Sequence, residues 1–493
     1  MKKQKRKTLN PRCEKEIIMK NTSLNVAKEE FKFIIERYIT PLFHITGNIK
    51  YNENSVNNNN LIEILKIKNS DASTVKIYPG ISDKKNCSLF YCEFKAYSAE
   101  NSKKCAVEVL KELLKVTENN CLKLIKQRNY GNRKTRIDTY KNRTLDLAYE
   151  LGICKWLTNT DSNAAVLHKI ISRMIDWSSR TYEGKNVPFG IVIDFDASCQ
   201  NASANYVTFL ENDSSAVFTD GVFSGIMLDK NGDVLDFLTR DTKVALTNSS
   251  VEIFVPFQFA DIAQHCKQNR IGIITLANGE IILVKNQEIC FAKRGYKWIP
   301  FDWGKILCSL RPYFLSAGET DEKDITDKIK KIYCTLLDVS FAHTGGCLAL
   351  ILPSEVKFVD EKIKERIDLY DEANELANVS KESLEKIKIL RSILACGNNK
   401  VRSFFQISKP LRKEIMGLDG ATVLALNGDF YCAGSIVSVP GGSSGGGRTA
   451  ASKKLAEYGV GIKISEDGYI EAYGKPLNNS DKNKRMVPVF NFK

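Results

Sequence analysis

The sequence predicts an α/β protein of several domains, in which a C-terminal mixed β-sheet flanked by helices follows a strand-rich α/β region and a small N-terminal α+β region. The length of 493 residues exceeds one ordinary hydrophobic core. Apolar runs of strand length alternate with longer amphipathic segments. Asn-Gly pairs that begin at Asn231, Asn278 and Asn427 lie between apolar runs, which predicts tight hairpins.

The N-terminal part is predicted to contain a tail and one small folded region. Residues 1–20 are predicted to be a basic tail, because the lysines of Met1–Lys7 are not followed by the apolar segment of a secretory signal. Residues 21–140 are predicted to form the α+β region, and the sequence assigns it no role. Its predicted elements are a helix over 24–43, strands near 61–67, 74–78 and 88–96, and a helix over 102–127.

The strand-rich α/β region is predicted over residues 141–312. Its predicted elements are helices over 143–156 and 163–178, a strand over 190–195, hairpins over 223–238 and 271–284, and a further strand over 289–292 that leads to Trp298. Asp194 and Asp196 lie at the end of a predicted strand. An acidic pair there begins a turn more often than it binds a metal, so both interpretations stay open.

The C-terminal region is predicted over residues 320–475, and residues 476–493 are predicted to be a polar tail with a short apolar end. The predicted helices span 324–339, 358–376, 381–395 and 449–458. The predicted strands span 348–352, 422–426, 429–434 and 461–465, and a last strand follows Asp467-Gly468.

Composition argues against several classes of protein. The 14 cysteines are scattered without any C-x-x-C pair, which favours the reduced thiols of a cytoplasmic protein over a disulfide scaffold. The four histidines lie far apart, so the sequence does not support a zinc site. No apolar run is long enough for a membrane span, and we expect no membrane partner. The net charge of +14 is diffuse, and Lys126–Arg136 is the best candidate for contact with a polyanion.

The most informative segment is a glycine-rich loop, Gly441–Gly447, that joins a predicted strand directly to a helix. Arg448 and Thr449 begin that helix, where free amides, the helix dipole and an arginine favour a phosphate. Asp419 precedes one strand of the region and Glu466 follows another. A polyphosphate needs a cation, and Mg²⁺ or Mn²⁺ prefers carboxylate oxygens, so we expect these two side chains to bind the metal.

These motifs together resemble the bacterial diadenylate cyclase domain over residues 325–475. The shared order is Asp419-Gly420-Ala421, then a glycine loop into Ala450-Ala451 at a helix start, then Ser465-Glu466-Asp467-Gly468. The family has an Arg-His-Arg triplet after its glycine loop, and only Arg448 of that triplet has a clear counterpart here. The strand-rich region resembles, less closely, a presumed sensor domain that precedes such cyclase domains. That likeness rests on Thr181–Gly184, Val255–Phe257, Gly279–Ile281 and Lys297-Trp298.

The resemblance implies an enzyme that condenses two ATP molecules into cyclic di-AMP or a related dinucleotide, under control of the sensor-like region. It implies catalytic roles for Asp419, Arg448 and Thr449. The nucleotide-binding residues that it implies are Asp419, Gly420, Ala421, Gly445, Gly446, Gly447, Arg448, Thr449, Ser465 and Glu466. Since each domain holds one ATP, two domains must face each other in a homo-oligomer. A catalytically degenerate nucleotide-binding module is the alternative, and a nucleic-acid-binding protein is a third, which rests on charge alone.

Overall fold

The computed structural model describes most of the chain beyond its first 27 residues. The described residues are 28–45, 48–52, 56–57, 61–67, 72–78, 87–88, 91–97, 99–126, 134–182, 185–199, 204–211, 218–239, 253–356, 367, 380–396, 400–437, 439, 446–477 and 486–493. The chain divides into two compact units, Met1–Ile170 and Ile171–Lys493. Its class is mixed α/β, with three larger sheets that are mostly antiparallel, so the predicted class is confirmed at this level.

The first unit combines one antiparallel sheet with helices. Its elements are α1 (28–34), which continues as a π-helical turn Ile35–Ile39 and a 3-10 turn Thr40–Leu42, β1 (His44–Ile45), β2 (Lys50–Asn52), β3 (Val56–Asn57), β4 (Ile62–Lys66), β5 (Ala72–Ile77), β6 (Cys87–Ser88), β7 (Tyr91–Tyr97), α2 (Ala99–Lys126) and α3 (Lys134–Thr158). Sheet A has the order β1-β7-β5-β4, and β2 also pairs with β7. Phe31, Ile34, Ile35 and Tyr38 are buried, so the predicted apolar side of the first helix is confirmed.

Helix α4 (Asp161–Ser178) crosses the division and leads into sheet B of the second unit. The elements that follow are β8 (Thr181–Tyr182), β9 (Lys185–Asn186), β10 (Phe189–Asp194), α5 (Tyr206–Phe209), β11 (Ser224–Asp229), β12 (Val234–Thr239), a 3-10 turn Phe257–Phe259, α6 (Ala260–Ala263), β13 (Arg270–Thr275), β14 (Ile281–Lys285), β15 (Glu288–Arg294) and β16 (Lys297–Pro300). Gly232 and Gly279 have positive φ at the two predicted Asn-Gly turns, which confirms both hairpins.

Sheet C follows two helices, α7 (Trp303–Ser316) and α8 (Glu322–Ala342). Its elements are β17 (Gly346–Ile351), α9 (Lys381–Leu394), α10 (Lys409–Met416), β18 (Ala421–Ala425), β19 (Phe430–Ser435), α11 (Gly447–Ala456), β20 (Gly459–Ile464), β21 (Ile470–Gly474) and β22 (Val487–Phe492). Strand β22 pairs with β21 and buries Phe490 and Phe492. Part of the predicted tail over 476–493 is therefore an edge strand, and the prediction of a tail was wrong there. The helix predicted over 358–376 lies almost wholly outside the described residues.

Sheets B and C have the same order over their first six strands in sequence, and sheet B has a seventh strand, β16, at its edge. Sheet B runs β12-β11-β10-β13-β14-β15-β16, and sheet C runs β19-β18-β17-β20-β21-β22. In each sheet the first strand in sequence pairs in parallel with the second and antiparallel with the fourth. A hairpin joins the second strand to the third, and another joins the fourth to the fifth.

The second unit has one continuous hydrophobic core that includes residues from both sheets. Ile274 of sheet B, Ile329 of α8 and Leu348 of sheet C all belong to it. The opposite face of sheet C has a separate cluster, in which Leu455 and Tyr458, at the end of α11, pack with β17 and β18. Within the described residues, no helix is both long and apolar enough to cross a membrane.

Candidate functional site

Strand pairing brings the predicted site residues to one end of sheet C. Strands β17 and β18 are parallel, with Leu348 opposite Thr422, so Asp419 lies just beyond the end where both strands begin. Strand β20 is antiparallel to β17, so its C-terminus reaches the same end of the sheet, where Glu466 follows. Asp419 and Glu466, which are 47 positions apart in the chain, are therefore separated by the single strand β17.

Arg448 connects the start of α11 to this end of the sheet. Its Nη1 donates to Glu466 Oε1 at 2.8 Å. Gly345 precedes β17 with φ of +67°, and a Cβ on it would lie 2.7 Å from the same nitrogen. Glycine at this position is therefore what lets the guanidinium approach the sheet. The predicted phosphate-binding arginine and the predicted metal-binding glutamate form an ion pair with each other.

The Asp419 carboxylate has no partner among the residues that the structure describes. The side chain is exposed, and it makes no hydrogen bond or ion pair with any of those residues. Gly420 has φ of +106°, and a Cβ on it would lie 2.5 Å from the backbone carbon of Gly434. The glycine of the Asp-Gly-Ala motif is thus required by close packing against β19, and Ala421 is buried beneath it. The motif holds the aspartate at the surface on a tightly packed turn.

Some of the other predicted residues support the backbone, and others have open space beside them. The Ser465 hydroxyl accepts from the Tyr469 amide at 3.1 Å, which closes the turn that carries Glu466. Thr449 is buried in the first turn of α11. No described atom lies within 4 Å of the position that a Cβ would take on Gly446 or Gly447, so there is space for a ligand beside this part of the loop. Gly445 lies outside the described residues.

The two carboxylates do not form a metal cage by themselves. Among the described residues, no group of three or more His, Cys, Asp or Glu side chains is placed to hold a metal ion. The Glu466 side chain is 73% exposed and that of Asp419 is also exposed. Mg²⁺ commonly takes only one or two carboxylates and completes its shell with phosphate oxygens and water. A cation at these two carboxylates would therefore need a polyphosphate to complete its shell.

The structure adds a cation that sequence reasoning missed. Lys386 of α9 donates its ammonium to the main-chain oxygen of Gly434, beside the turn that holds Asp419. Helix α9 buries Ile387 and Leu390, and this face places Lys386 against sheet C. The only available signal was the amphipathic pattern of the helix, which does not indicate which strand its lysines reach.

The acidic pair of sheet B has a structural role. Asp194 Oδ1 accepts from the backbone amides of Asp196 and Ala197 at 3.0 and 3.1 Å, and Oδ2 accepts from Arg270 Nε at 2.7 Å. Asp196 accepts from the Asn269 amide at 2.8 Å. Of the two interpretations of this pair, the turn is the one that the structure shows.

Comparisons with known proteins gave no match: no protein-family model, no curated protein and no solved structure matches the chain. The resemblance to the diadenylate cyclase domain therefore stays a hypothesis that rests on the motifs. Most of the basic segment Lys126–Arg136 lies outside the described residues, so the predicted polyanion contact also stays a prediction.

Proposed function

We propose that the region over residues 320–475 is a nucleotidyltransferase that condenses two ATP molecules into cyclic di-AMP or a related dinucleotide. The observation that carries this proposal is the carboxylate of Asp419, without a described partner, at the same sheet end as Arg448, Glu466 and the start of α11. A carboxylate at the same sheet end as a helix N-terminus and an arginine suits a reaction between a hydroxyl group and a phosphate.

The proposed reaction joins the ribose 3′-oxygen of one ATP to the α-phosphorus of the other. The new O–P bond replaces the bond to the β-phosphate, and pyrophosphate leaves. Asp419 would orient the attacking hydroxyl and accept its proton, while the amides of Gly446 and Gly447 and the Arg448 guanidinium would hold the triphosphate. A divalent cation, bound by Asp419 and Glu466 with phosphate oxygens, would neutralise charge on the triphosphate.

The ion pair between Arg448 and Glu466 must open for both residues to take these roles. Exposed pairs of this kind contribute only about 0–1 kcal/mol, so a triphosphate and a cation can outcompete it. Until then each side chain neutralises the other. The pair thus gives the ligand-free site a defined resting arrangement in which Arg448 is already turned towards the sheet.

Two further parts of the proposal follow from the chemistry and from sheet B. One site holds one ATP, so product formation needs a second copy of the chain facing the first.

Regulation needs a ligand site in the sensor-like region, and sheet B has an apolar cavity of about 440 Å³ next to β11 and β12. Phe209 and Phe218 stack at its wall with ring centres 5.3 Å apart, which suits a planar apolar ligand.

The test is incubation of the full chain with labelled ATP and Mn²⁺, followed by chromatography of the products. We expect a dinucleotide from the wild type and none from Asp419→Asn. Asp429→Asn is the matched control, because this aspartate lies in the hairpin at the opposite end of β18. Product from Asp419→Asn at the wild-type rate would overturn the assignment of Asp419.

Two other outcomes identify the alternatives. Tight ATP binding without any product would favour the degenerate nucleotide-binding module, since the Arg-His-Arg triplet of the resembling family is reduced to Arg448 here. Binding to DNA or RNA that weakens steeply with salt, without ATP binding, would favour the nucleic-acid-binding protein.

A further inference from the structure

We infer that sheet B positions the Glu466 turn, defined as Ser465–Gly468, through two contacts centred on Arg294 and His343. This inference rests on the proposed function for its consequence, because Glu466 and its partner Arg448 belong to the proposed site. The contacts themselves are observed within the second unit and do not depend on that function. Arg294 and His343 are therefore positioning residues, because they act through the Glu466 turn and neither is among the residues proposed to hold the nucleotide.

The first contact begins with a buried arginine at the end of β15. Arg294 is 5% exposed and forms an ion pair with Glu280 of sheet B at 3.0 Å. Its Nη2 donates to Ser340 Oγ at 2.9 Å. The Ser340 hydroxyl donates in turn to the carbonyl oxygen of Gly468 at 2.5 Å. A short series of hydrogen bonds therefore joins sheet B to the last residue of the Glu466 turn.

The shape of the turn matches the arginine beneath it. Gly468 has φ of +77°, and a Cβ on it would lie 2.7 Å from the Arg294 guanidinium. The guanidinium carbon lies 4.6 Å from the centre of the Phe341 ring and 5.9 Å from that of Tyr469. A planar guanidinium can stack on these rings while it donates at its edge, which an ammonium cannot do.

The second contact passes through His343, which ends α8 in a left-handed conformation with φ of +55°. Its Nδ1 lies 2.7 Å from the carbonyl oxygen of Glu466, so Nδ1 carries the proton and donates. On the other side of the ring, Nε2 lies 2.7 Å from the side-chain amide nitrogen of Asn278. Asn278 lies in the turn between β13 and β14, so this contact also begins in sheet B.

Both contacts start near one point of sheet B and end on the same turn. Glu280 pairs with Arg294 and also lies 3.4 Å from His343 Nε2. A shift of the turn between β13 and β14 would therefore move both contacts together. Because Glu466 holds Arg448, the shift would change how the arginine is presented to a triphosphate. This gives the sensor-like region a physical route to the proposed site.

The test measures hydrogen exchange of the full chain and, separately, binding of ATP with Mn²⁺. In Arg294→Lys and in His343→Ala we expect the amides of Gly468 and Tyr469 to exchange roughly tenfold faster, as the loss of about one hydrogen bond implies. ATP binding should weaken in both variants. Arg270→Lys is the matched control in sheet B, because its partner Asp194 is remote from the turn. It should leave exchange in the turn unchanged.

The outcomes separate this inference from the proposed function. If the wild type binds no ATP, the proposed function fails, while faster exchange confined to the Glu466 turn still supports positioning. Unchanged exchange in the turn of folded variants would overturn positioning even where ATP binds. Exchange that rises equally across residues 171–493 would also overturn it, because it would show general destabilisation. His343→Ala keeps the test decisive if Arg294→Lys does not fold, since His343 is only half-buried.

Discussion

Sheets B and C share the topology of their first six strands. They differ at the end of the sheet where sheet C has its candidate site. Both have one parallel pair in the same place. Gly272 of β13 and Gly461 of β20 lie opposite Val192 and Ala349, at the same position in the fourth strand. A Cβ on either would meet the helix or turn that precedes its strand. The two sheets therefore share a topology and the position of this close approach to the fourth strand.

The Asp-Gly pairs before the second strands show the difference most clearly. Gly221 and Gly420 both have positive φ, and Asp220 and Asp419 precede them. Asp220 accepts hydrogen bonds from the backbone amides of Val222, Phe223 and Ser224. Burial raises its pKa, but these bonds outweigh burial and hold the pKa below its usual range. Asp419 makes no such bonds with described residues, so the same turn leaves its carboxylate free for a ligand.

The helices after the third strands differ in the same sense. Between the third and fourth strands, the described part of sheet B has a 3-10 turn and the four residues Ala260–Ala263, whereas sheet C has the ten residues Gly447–Ala456 with Arg448 in the first turn. A helix of this length has a dipole and free amides to offer an anion. The two sheets thus share a framework of strands. The candidate site of sheet C depends on the polar groups that the loops at one end leave available to a ligand.

The largest effect that we expect from this comparison concerns the two matched glycines. In Gly461→Ala the new methyl group would overlap the main-chain oxygen of Ser452, which cannot rotate away, so we expect a loss of about 3 kcal/mol in the free energy of unfolding. In Gly272→Ala it would lie 2.5 Å from Cys266 Sγ, a side-chain atom. Because that side chain can move, we expect a loss of only about 1 kcal/mol.

Urea unfolding of both variants measures this difference. Gly447→Ala is the control, because no atom lies within 4 Å of its Cβ position, and it should not destabilise the protein. Equal losses in Gly461→Ala and Gly272→Ala would show that the helix approaches the sheet equally closely in both regions, contrary to the structure.

A smaller effect separates the two aspartates. Asp220→Ala removes the acceptor of three backbone amides, and we expect a loss of about 2 kcal/mol in the free energy of unfolding. Asp419→Ala removes an exposed side chain without partners among the described residues, so we expect a change within about 0.5 kcal/mol. Thermal unfolding of both variants tests this. A destabilised Asp419→Ala would mean that Asp419 supports the fold rather than a ligand.

Much of the framework could be predicted from the sequence because its signals are local. The Asn-Gly pair at Asn427 joins β18 to β19 as predicted, since the turn needs only a glycine with positive φ. Strand β22 was missed because a polar stretch precedes it, although the spacing of Phe490 and Phe492 indicates a half-buried strand. Four cysteines, Cys290, Cys334, Cys347 and Cys432, lie in apolar patterns that predict burial; the last three are buried, whereas Cys290 is only partly buried.

The contacts of the site could not be predicted, because they depend on long-range pairing. Arg448 meets Glu466 only because β20 runs antiparallel to β17, and no pattern near either residue indicates that direction. Ser340 and Gly468, which share a hydrogen bond, are 128 positions apart, and the buried Arg294 that donates to Ser340 belongs to sheet B. The lack of a described partner for the Asp419 carboxylate was also not predictable, because the same Asp-Gly pair at Asp220 accepts from three backbone amides.

The smallest effect concerns Asp338 of α8. This helix packs in the hydrophobic core that includes residues of both sheets. Asp338 Oδ1 accepts from the Phe257 amide at 2.6 Å, at the turn that begins the short helix of sheet B. Burial raises the pKa of Asp338 to about 6, although Lys409 at 3.7 Å opposes the shift. The folded state therefore holds this proton more tightly than the unfolded chain does. Stability should fall as the pH rises through the range between the usual aspartate pKa and about 6.

From these pKa values we expect the wild type to lose about 1 kcal/mol of unfolding free energy between about pH 5 and pH 7 through Asp338 alone. Asp338→Asn keeps an oxygen for the Phe257 amide but cannot ionise, so its loss over this range should be smaller by that amount. Asp327→Asn, an exposed change on the same helix, is the control and should keep the wild-type slope. Parallel stability curves for wild type and Asp338→Asn would show that Asp338 is charged in the folded protein throughout this range. Asp338 would then accept the Phe257 amide as a carboxylate whose charge is balanced by Lys409.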